Sequence, residues 1–237
     1  EAEREASFFT TGGLAAVHAS GRDRQSIWQS LTSKETYGTT GDRILLWFDL
    51  VNQDSLIPMG STVNQTDNPT FRVKAVGAFE QKPGCPDYSS TDITKEEIER
   101  ICKNECYNPS DTRKIISRIE IVKITPQIAK SERIEDLIDD AWKTFECKPS
   151  QQGCEIEFID EEFEDNSRDT IYYVRAIQEP SPVVNGGNLR CTFNDKGECI
   201  KVNICYGDSR TDKEDDCLTL SEERAWSSPI YINFTEA

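Results

Sequence analysis

At Arg43 the spacing of apolar residues changes from the period of a helix, about 3.6, to the alternation of a strand, and it alternates almost to the end of the chain. The stretch 43–51 is apolar on both faces, which predicts a central strand. Over 70–79, Phe71, Val73 and Ala75 face inward while Arg72 and Lys74 face outward. Further strands are predicted at 116–124, 154–159, 170–177 and 229–233. A hairpin at 189–193 and 198–204 is expected to turn through Asn194-Asp195-Lys196-Gly197. About seven or eight strands in all, separated by turn residues, argue for a β-sandwich. Two short helices should interrupt it. At 95–104, Thr94 and Glu97 form a capping box ahead of Ile98 and Ile101. At 133–142, Ile134, Leu137, Ile138, Ala141 and Trp142 fall at helical spacing. Before Arg43 lies a short α/β piece, residues 1–42. Its strand runs over 12–19, and Asp23 caps a helix over 24–33 whose apolar face is Ile27, Trp28 and Leu31. The fold class is α+β and mainly β.

The nine cysteines of the 237-residue chain all lie beyond residue 84. They sit in loops beside turn residues and contain no Cys-x-x-Cys pair, so disulfides in an oxidising, extracytoplasmic compartment are favoured over zinc. Cys147 with Cys154, Cys191 with Cys199, and Cys205 with Cys217 are spaced as local clips. Cys85, Cys102 and Cys106 remain, so one thiol stays free or pairs outside the chain.

Lysine and arginine number 27 against 43 acidic residues, a formal net charge of −16. Such a surface repels phosphate backbones, so no nucleic-acid partner is expected. The longest apolar runs, such as 44–48, are too short to span a bilayer. The single histidine, His18, reads as a structural residue, and with no Gly-x-Ser-x-Gly pattern it excludes a hydrolase triad. Two acidic clusters are weak calcium candidates: 160–165, and Asp208, Asp212, Asp215 and Asp216. The turn Thr39-Thr40-Gly41-Asp42-Arg43 is the candidate anion or substrate site, with hydroxyls, backbone N–H groups and a guanidinium. Tyr172, Tyr173, Arg175, Arg224 and Trp226 suggest a binding face. Strand alternation, however, puts one of the two tyrosines in the core.

Several stretches, in order, resemble the C-terminal part of the domain-of-unknown-function 3604 family. They are Gly12-Gly13-Leu14-Ala15-Ala16-Val17, Ile27-Trp28-Gln29-Ser30-Leu31, Lys34-Glu35-Thr36-Tyr37-Gly38-Thr39-Thr40-Gly41, Tyr172-Tyr173-Val174-Arg175-Ala176-Ile177-Gln178-Glu179-Pro180 and Glu223-Arg224-Ala225-Trp226-Ser227-Ser228-Pro229-Ile230. Phe79-Glu80-Gln81 and Cys106-Tyr107-Asn108-Pro109-Ser110-Asp111 belong to the same resemblance. That family is similar to metal-dependent hydrolases of the polymerase-and-histidinol-phosphatase superfamily. The resemblance implies that residues 1–42 are the last strand and helix of an incomplete β/α barrel. Residues 43–237 would then be a C-terminal, sandwich-like domain. It also implies that the metal ligands lie upstream of Glu1. The chain itself then holds no cofactor or catalytic residue, and a divalent metal belongs to the full-length parent. Its partner would be the upstream barrel segment or another subunit. Two functions are therefore carried forward: the C-terminal portion of a metal-dependent hydrolase of phosphoester, ester or amide bonds, and a non-catalytic, disulfide-stabilised binding or assembly module.

Overall fold

A computed structural model describes residues 12–235 apart from 54, 91–92, 103–105, 185–189, 207–208, 213 and 216, with backbone only at 89, 90, 99, 101, 102 and 184. Strand β1 (Leu14–Val17) leads into α1 (Arg24–Thr32) and β2 (Thr36–Thr39). The Asp23 carboxylate caps α1, accepting from the backbone N–H groups of Gln25 and Ser26, both at 3.0 Å. There follow β3 (Leu45–Asn52), β4 (Ser55–Pro58), β5 (Thr62–Gln65), β6 (Thr70–Val76) and β7 (Phe79–Gln81). Helix α2 (Lys95–Cys102) begins in the expected capping box, Thr94 and Glu97 exchanging backbone-to-side-chain bonds of 3.2 Å. After it come β8 (Pro109–Arg113), β9 (Ile116–Ile124), β10 (Ile138–Glu146) and β11 (Cys154–Ile159). The single turn α3 (Phe163–Asn166) precedes β12 (Thr170–Gln178) and β13 (Ser181–Val184). The chain closes with β14 (Cys191–Phe193), β15 (Cys199–Val202), β16 (Leu218–Ser221), β17 (Arg224–Ser227) and β18 (Ile230–Phe234).

Two sheets make the sandwich. The larger has eight strands in the order β1-β2-β17-β12-β18-β5, with β9 also on β12 and β10 on β9; the smaller runs β11-β6-β3-β4. Strand β12 is long enough to pair along one edge with β9 and to split its other edge between β17 and β18. Between the sheets the alternation read from sequence becomes a dry core. Leu46, Phe48 and Leu50 of β3 and Phe71, Val73 and Ala75 of β6 are buried. They face Ile119 and Ile121 of β9 and Tyr172, Val174 and Ala176 of β12. Phe71 is the centre of this layer. Its ring lies 5.4 Å from Phe48, 5.2 Å from Phe158 and 4.6 Å from Tyr172, so it touches aromatics of both sheets. Three two-stranded ribbons, β7-β8, β13-β16 and β14-β15, decorate the sandwich.

The mainly β, disulfide-containing sandwich agrees with the sequence reading, and two details correct it. Among the described residues, sixteen strands follow residue 42 rather than seven or eight. The extra ones are mostly ladders of three to five residues, too short to establish a period. The helix expected at 133–142 is a single 3₁₀ turn, Ile134–Asp136, followed by β10. A bulge explains the misreading. Asp139 and Lys143 pair with Lys123 and Ile121, so four residues of β10 advance the ladder by two, and apolar spacing of four mimics a helix. The apolar face of α1 is exposed among the described residues, Ile27, Trp28 and Leu31 being 36%, 65% and 48% exposed. Residues 36–39 nevertheless join the large sheet, Thr39, Gly38 and Tyr37 pairing with Ala225, Trp226 and Ser227 of β17.

The three local clips form as expected, and Cys85 pairs with Cys106. Cys102 ends α2, and its side chain lies outside the described atoms. Cys147–Cys154 joins the end of β10 in the large sheet to the start of β11 in the small one. The hairpin turn is also as read, Asn194 Oδ1 accepting from the N–H groups of Lys196 and Glu198 at 2.9 Å each.

Candidate functional site

The turn after β2 opens into a cavity of about 580 Å³. Gly41, at φ 148°, takes a conformation that glycine adopts without strain, and it delivers Asp42 and Arg43 to the cavity wall. The opposite wall is the segment from Phe79 to Gly84 together with Tyr107. Beyond β7 that wall is loop backbone and needs fastening. Asn108 supplies it, its N–H donating to Gln81 Oε1 at 2.9 Å and its amide nitrogen to the carbonyls of Pro83 and Gly84 at 3.2 Å. The Cys85–Cys106 disulfide closes the same loop, and Cys106 itself lines the cavity.

The cavity's charge follows from which groups are already used. Asp42 is the acidic residue of the wall, and its Oδ2 accepts from Lys114 Nζ and from Gln178 Nε2, both at 2.6 Å. Gln178 is fully buried and its own Oε1 accepts from the Ala78 N–H at 2.7 Å, so it pins the β6–β7 connection to the Gly41 turn. Arg43 lays its guanidinium 3.7 Å from the centre of the Tyr107 ring. Among the described residues it has neither an ion-pair nor a hydrogen-bond partner, and neither does the ammonium of Lys82. Two free cations and an aromatic face therefore converge on one cavity of a chain with net charge −16. Such an arrangement can hold an anion attached to a flat or apolar body.

The structure divides the residues read from sequence. Gly41 and Arg43 line the cavity; Thr39 and Thr40 do not. Thr39 is buried and accepts from the Gly41 N–H at 3.3 Å. Thr40 Oγ1 donates to the Glu223 carboxylate and accepts from the Arg224 N–H at 2.9 Å, so it locks the turn to β17. His18 has the structural surroundings expected of it: Nε2 sits 2.8 Å from the Leu46 carbonyl, and the ring lies beside Tyr37 and Trp47. Of the aromatic and arginine set, Tyr172 is core, while Arg175 is engaged by Glu120 and Asp140.

Asp160 of the first calcium candidate is buried against Lys123. In the second, Asp215 pairs with Arg190 at 2.6 Å and Asp212 accepts from the Glu214 N–H, while Asp208 and Asp216 lie outside the described residues. No three His, Cys, Asp or Glu residues among those described are grouped to hold a metal ion.

Sequence reasoning missed Lys82 as a second cation and the roles of Lys114 and Gln178. The signal for the far wall was present in Phe79-Glu80-Gln81 and Cys106-Tyr107, which were noticed as motif residues without a chemical role.

Beside the turn, Glu222 receives a bidentate bond from Arg118, at 2.7 and 2.9 Å, and this guanidinium holds its carboxyl below the usual glutamate range. A folded-state pKa below the unfolded one contributes stability above the unfolded value, and that contribution is lost as pH falls through the folded value. The denaturant midpoint is therefore expected to fall between about pH 5 and pH 3, and to fall less in Glu222→Gln than in the parent. Equal acid sensitivity of the two proteins in urea titrations at pH 6 and pH 3 would contradict this.

Over residues 1–234 the chain matches the family described as Protein of unknown function (DUF3604). Comparison with curated proteins and with solved structures gives no match. No helix among the described residues is long and apolar enough to cross a membrane.

Proposed function

The chain belongs to the DUF3604 family, and we propose that it serves as the non-catalytic, C-terminal portion of a metal-dependent hydrolase acting on phosphoester, ester or amide bonds. In this reading it holds an anionic part of the substrate in the cavity of Arg43, Lys82 and Tyr107. The water-activating metal and its ligands come from another segment or subunit. Its four disulfides fit an oxidising, extracytoplasmic setting.

One observation carries the proposal. Several of the stretches by which the chain resembles its family are far apart in sequence, yet parts of them meet at or beside this cavity. Gly41 and Phe79, Gln81 and Tyr107 line it, Gln178 holds Asp42, and Glu223 holds Thr40. Arg43 and Lys82 are both exposed there and, among the described residues, have no ion-pair partner, so each can meet an anion arriving from solvent.

Calorimetric titration of the purified chain with phenyl phosphate is the test. Saturable binding is expected, weakened about tenfold or more in Arg43→Ala, because a charge-assisted bond to an anion is worth about 1.5–3 kcal/mol. Arg133→Ala, an exposed cation far along the chain, should bind as the parent does. No saturable binding, or equal binding by Arg43→Ala, would overturn the anion-holding role. The chain alone is expected not to turn over phosphomonoesters or phosphodiesters with added Mn²⁺, Zn²⁺ or Mg²⁺.

The assembly reading draws on a different observation. Phe193, Ile200 and Leu220, on the small ribbons, are 50%, 64% and 64% exposed. It requires self-association or capture of a partner through those ribbons, with anion binding absent.

A further inference from the structure

We infer that Lys123 and Asp160 become joined by an intramolecular amide bond between Nζ and Cγ, a covalent tie across the two sheets. The Lys123 ammonium lies 2.6 Å from Asp160 Oδ2, so Cγ is one bond beyond the contact. Lys123 belongs to β9 of the large sheet, directly opposite Tyr172 of β12; Asp160 directly follows β11 of the small sheet. The site is enclosed. The Asp160 side chain is 0% and that of Lys123 12% exposed, and the Trp142 ring lies 4.9 Å from Nζ, in contact with Phe158 and Tyr172.

The two carboxylate oxygens are held differently, and in the way the reaction needs. Oδ2 contacts both Nζ and the Tyr172 hydroxyl, which donates to it at 2.5 Å. Oδ1 accepts from the Glu162 N–H at 3.1 Å. Oδ2 is thus the leaving oxygen and Oδ1 the future amide carbonyl. One ammonium proton passes to Oδ2. The neutral amine then attacks Cγ, and the charge of the tetrahedral adduct falls on Oδ1, facing the Glu162 N–H. The C–Oδ2 bond breaks as Oδ2 takes a second proton from Tyr172, and the phenol regains it from Nζ. Ammonium and carboxylate become amide and water, with no oxidant and no other reactant. The Tyr172 hydroxyl already donates to Oδ2, so it is placed to hand its proton to the departing oxygen. Fixed proximity supplies the rate, and replacing two buried charges by a neutral link supplies the drive.

The test is the intact mass of the full chain after complete reduction and denaturation, followed by tandem mass spectrometry of its digest. The expected mass is one water below the sequence value, with the loss on a branched peptide joining Lys123 to Asp160. Lys123→Arg should show the full sequence mass, and Tyr172→Phe should lose the water more slowly. Should Lys123→Arg fail to fold, the mass of the parent chain decides the matter unaided. A parent chain at full sequence mass, carrying a plain ion pair, would overturn the inference. So would a water loss located at any other residue.

Discussion

Replacing Phe71 with alanine is expected to cost about 3–5 kcal/mol, the largest loss from any single truncation in this protein. The ring is 0% exposed and sits between aromatics of both sheets, so no neighbour can relax into the space without leaving its own strand. Removing it takes away the buried ring's transfer free energy and leaves a cavity at the point where the sheets meet. Denaturant unfolding of the oxidised protein, with the slope unchanged and the midpoint lowered, is the measurement. A loss below about 1 kcal/mol would mean that the two sheets do not share the core described here.

Gln178→Leu should have the second largest effect, and it couples stability to the site. Its Oε1 satisfies the Ala78 N–H and its Nε2 holds Asp42, so leucine removes both bonds in a fully buried position. Leaving the Ala78 donor unpaired costs about 1–3 kcal/mol. It also leaves Asp42 held by Lys114 alone, so the carboxylate is less firmly kept from competing with a bound anion. The expected result is therefore a lowered unfolding midpoint together with weaker phenyl phosphate binding. A variant that loses stability and binds as the parent does would show that Gln178 supports only the fold.

How much of this was legible in the sequence depended on how local the determinant was. The Asp23 cap, the Thr94–Glu97 box and the Asn194 turn act within four residues, and the sequence reading located all three. The core faces of β3 and β6 were equally plain, because alternation is a local signal with one buried side. Strand β10 was not, since its bulge replaces the period of two by a spacing that a helix also has. The site was half legible. Gly41 and Arg43 were read from turn chemistry alone. The partners that engage Asp42 come from 72 and 136 residues away, and no local pattern announces such a meeting. For the same reason the Cys85–Cys106 pairing, across 21 residues and a helix, stayed open in sequence while the short clips did not.

In the proposed role, the Gly41 turn and the loop fastened by Asn108 act as one anion-holding cavity. A nitrogen-15 NMR titration of the oxidised chain with phenyl phosphate tests it most directly. Saturating shifts are expected at the backbone amides of Gly41, Arg43, Lys82 and Tyr107, with Arg190, just before β14, and Lys201 of β15 unmoved. Shifts confined to the ribbons, or small drifts spread over every exposed lysine and arginine without saturation, would contradict it.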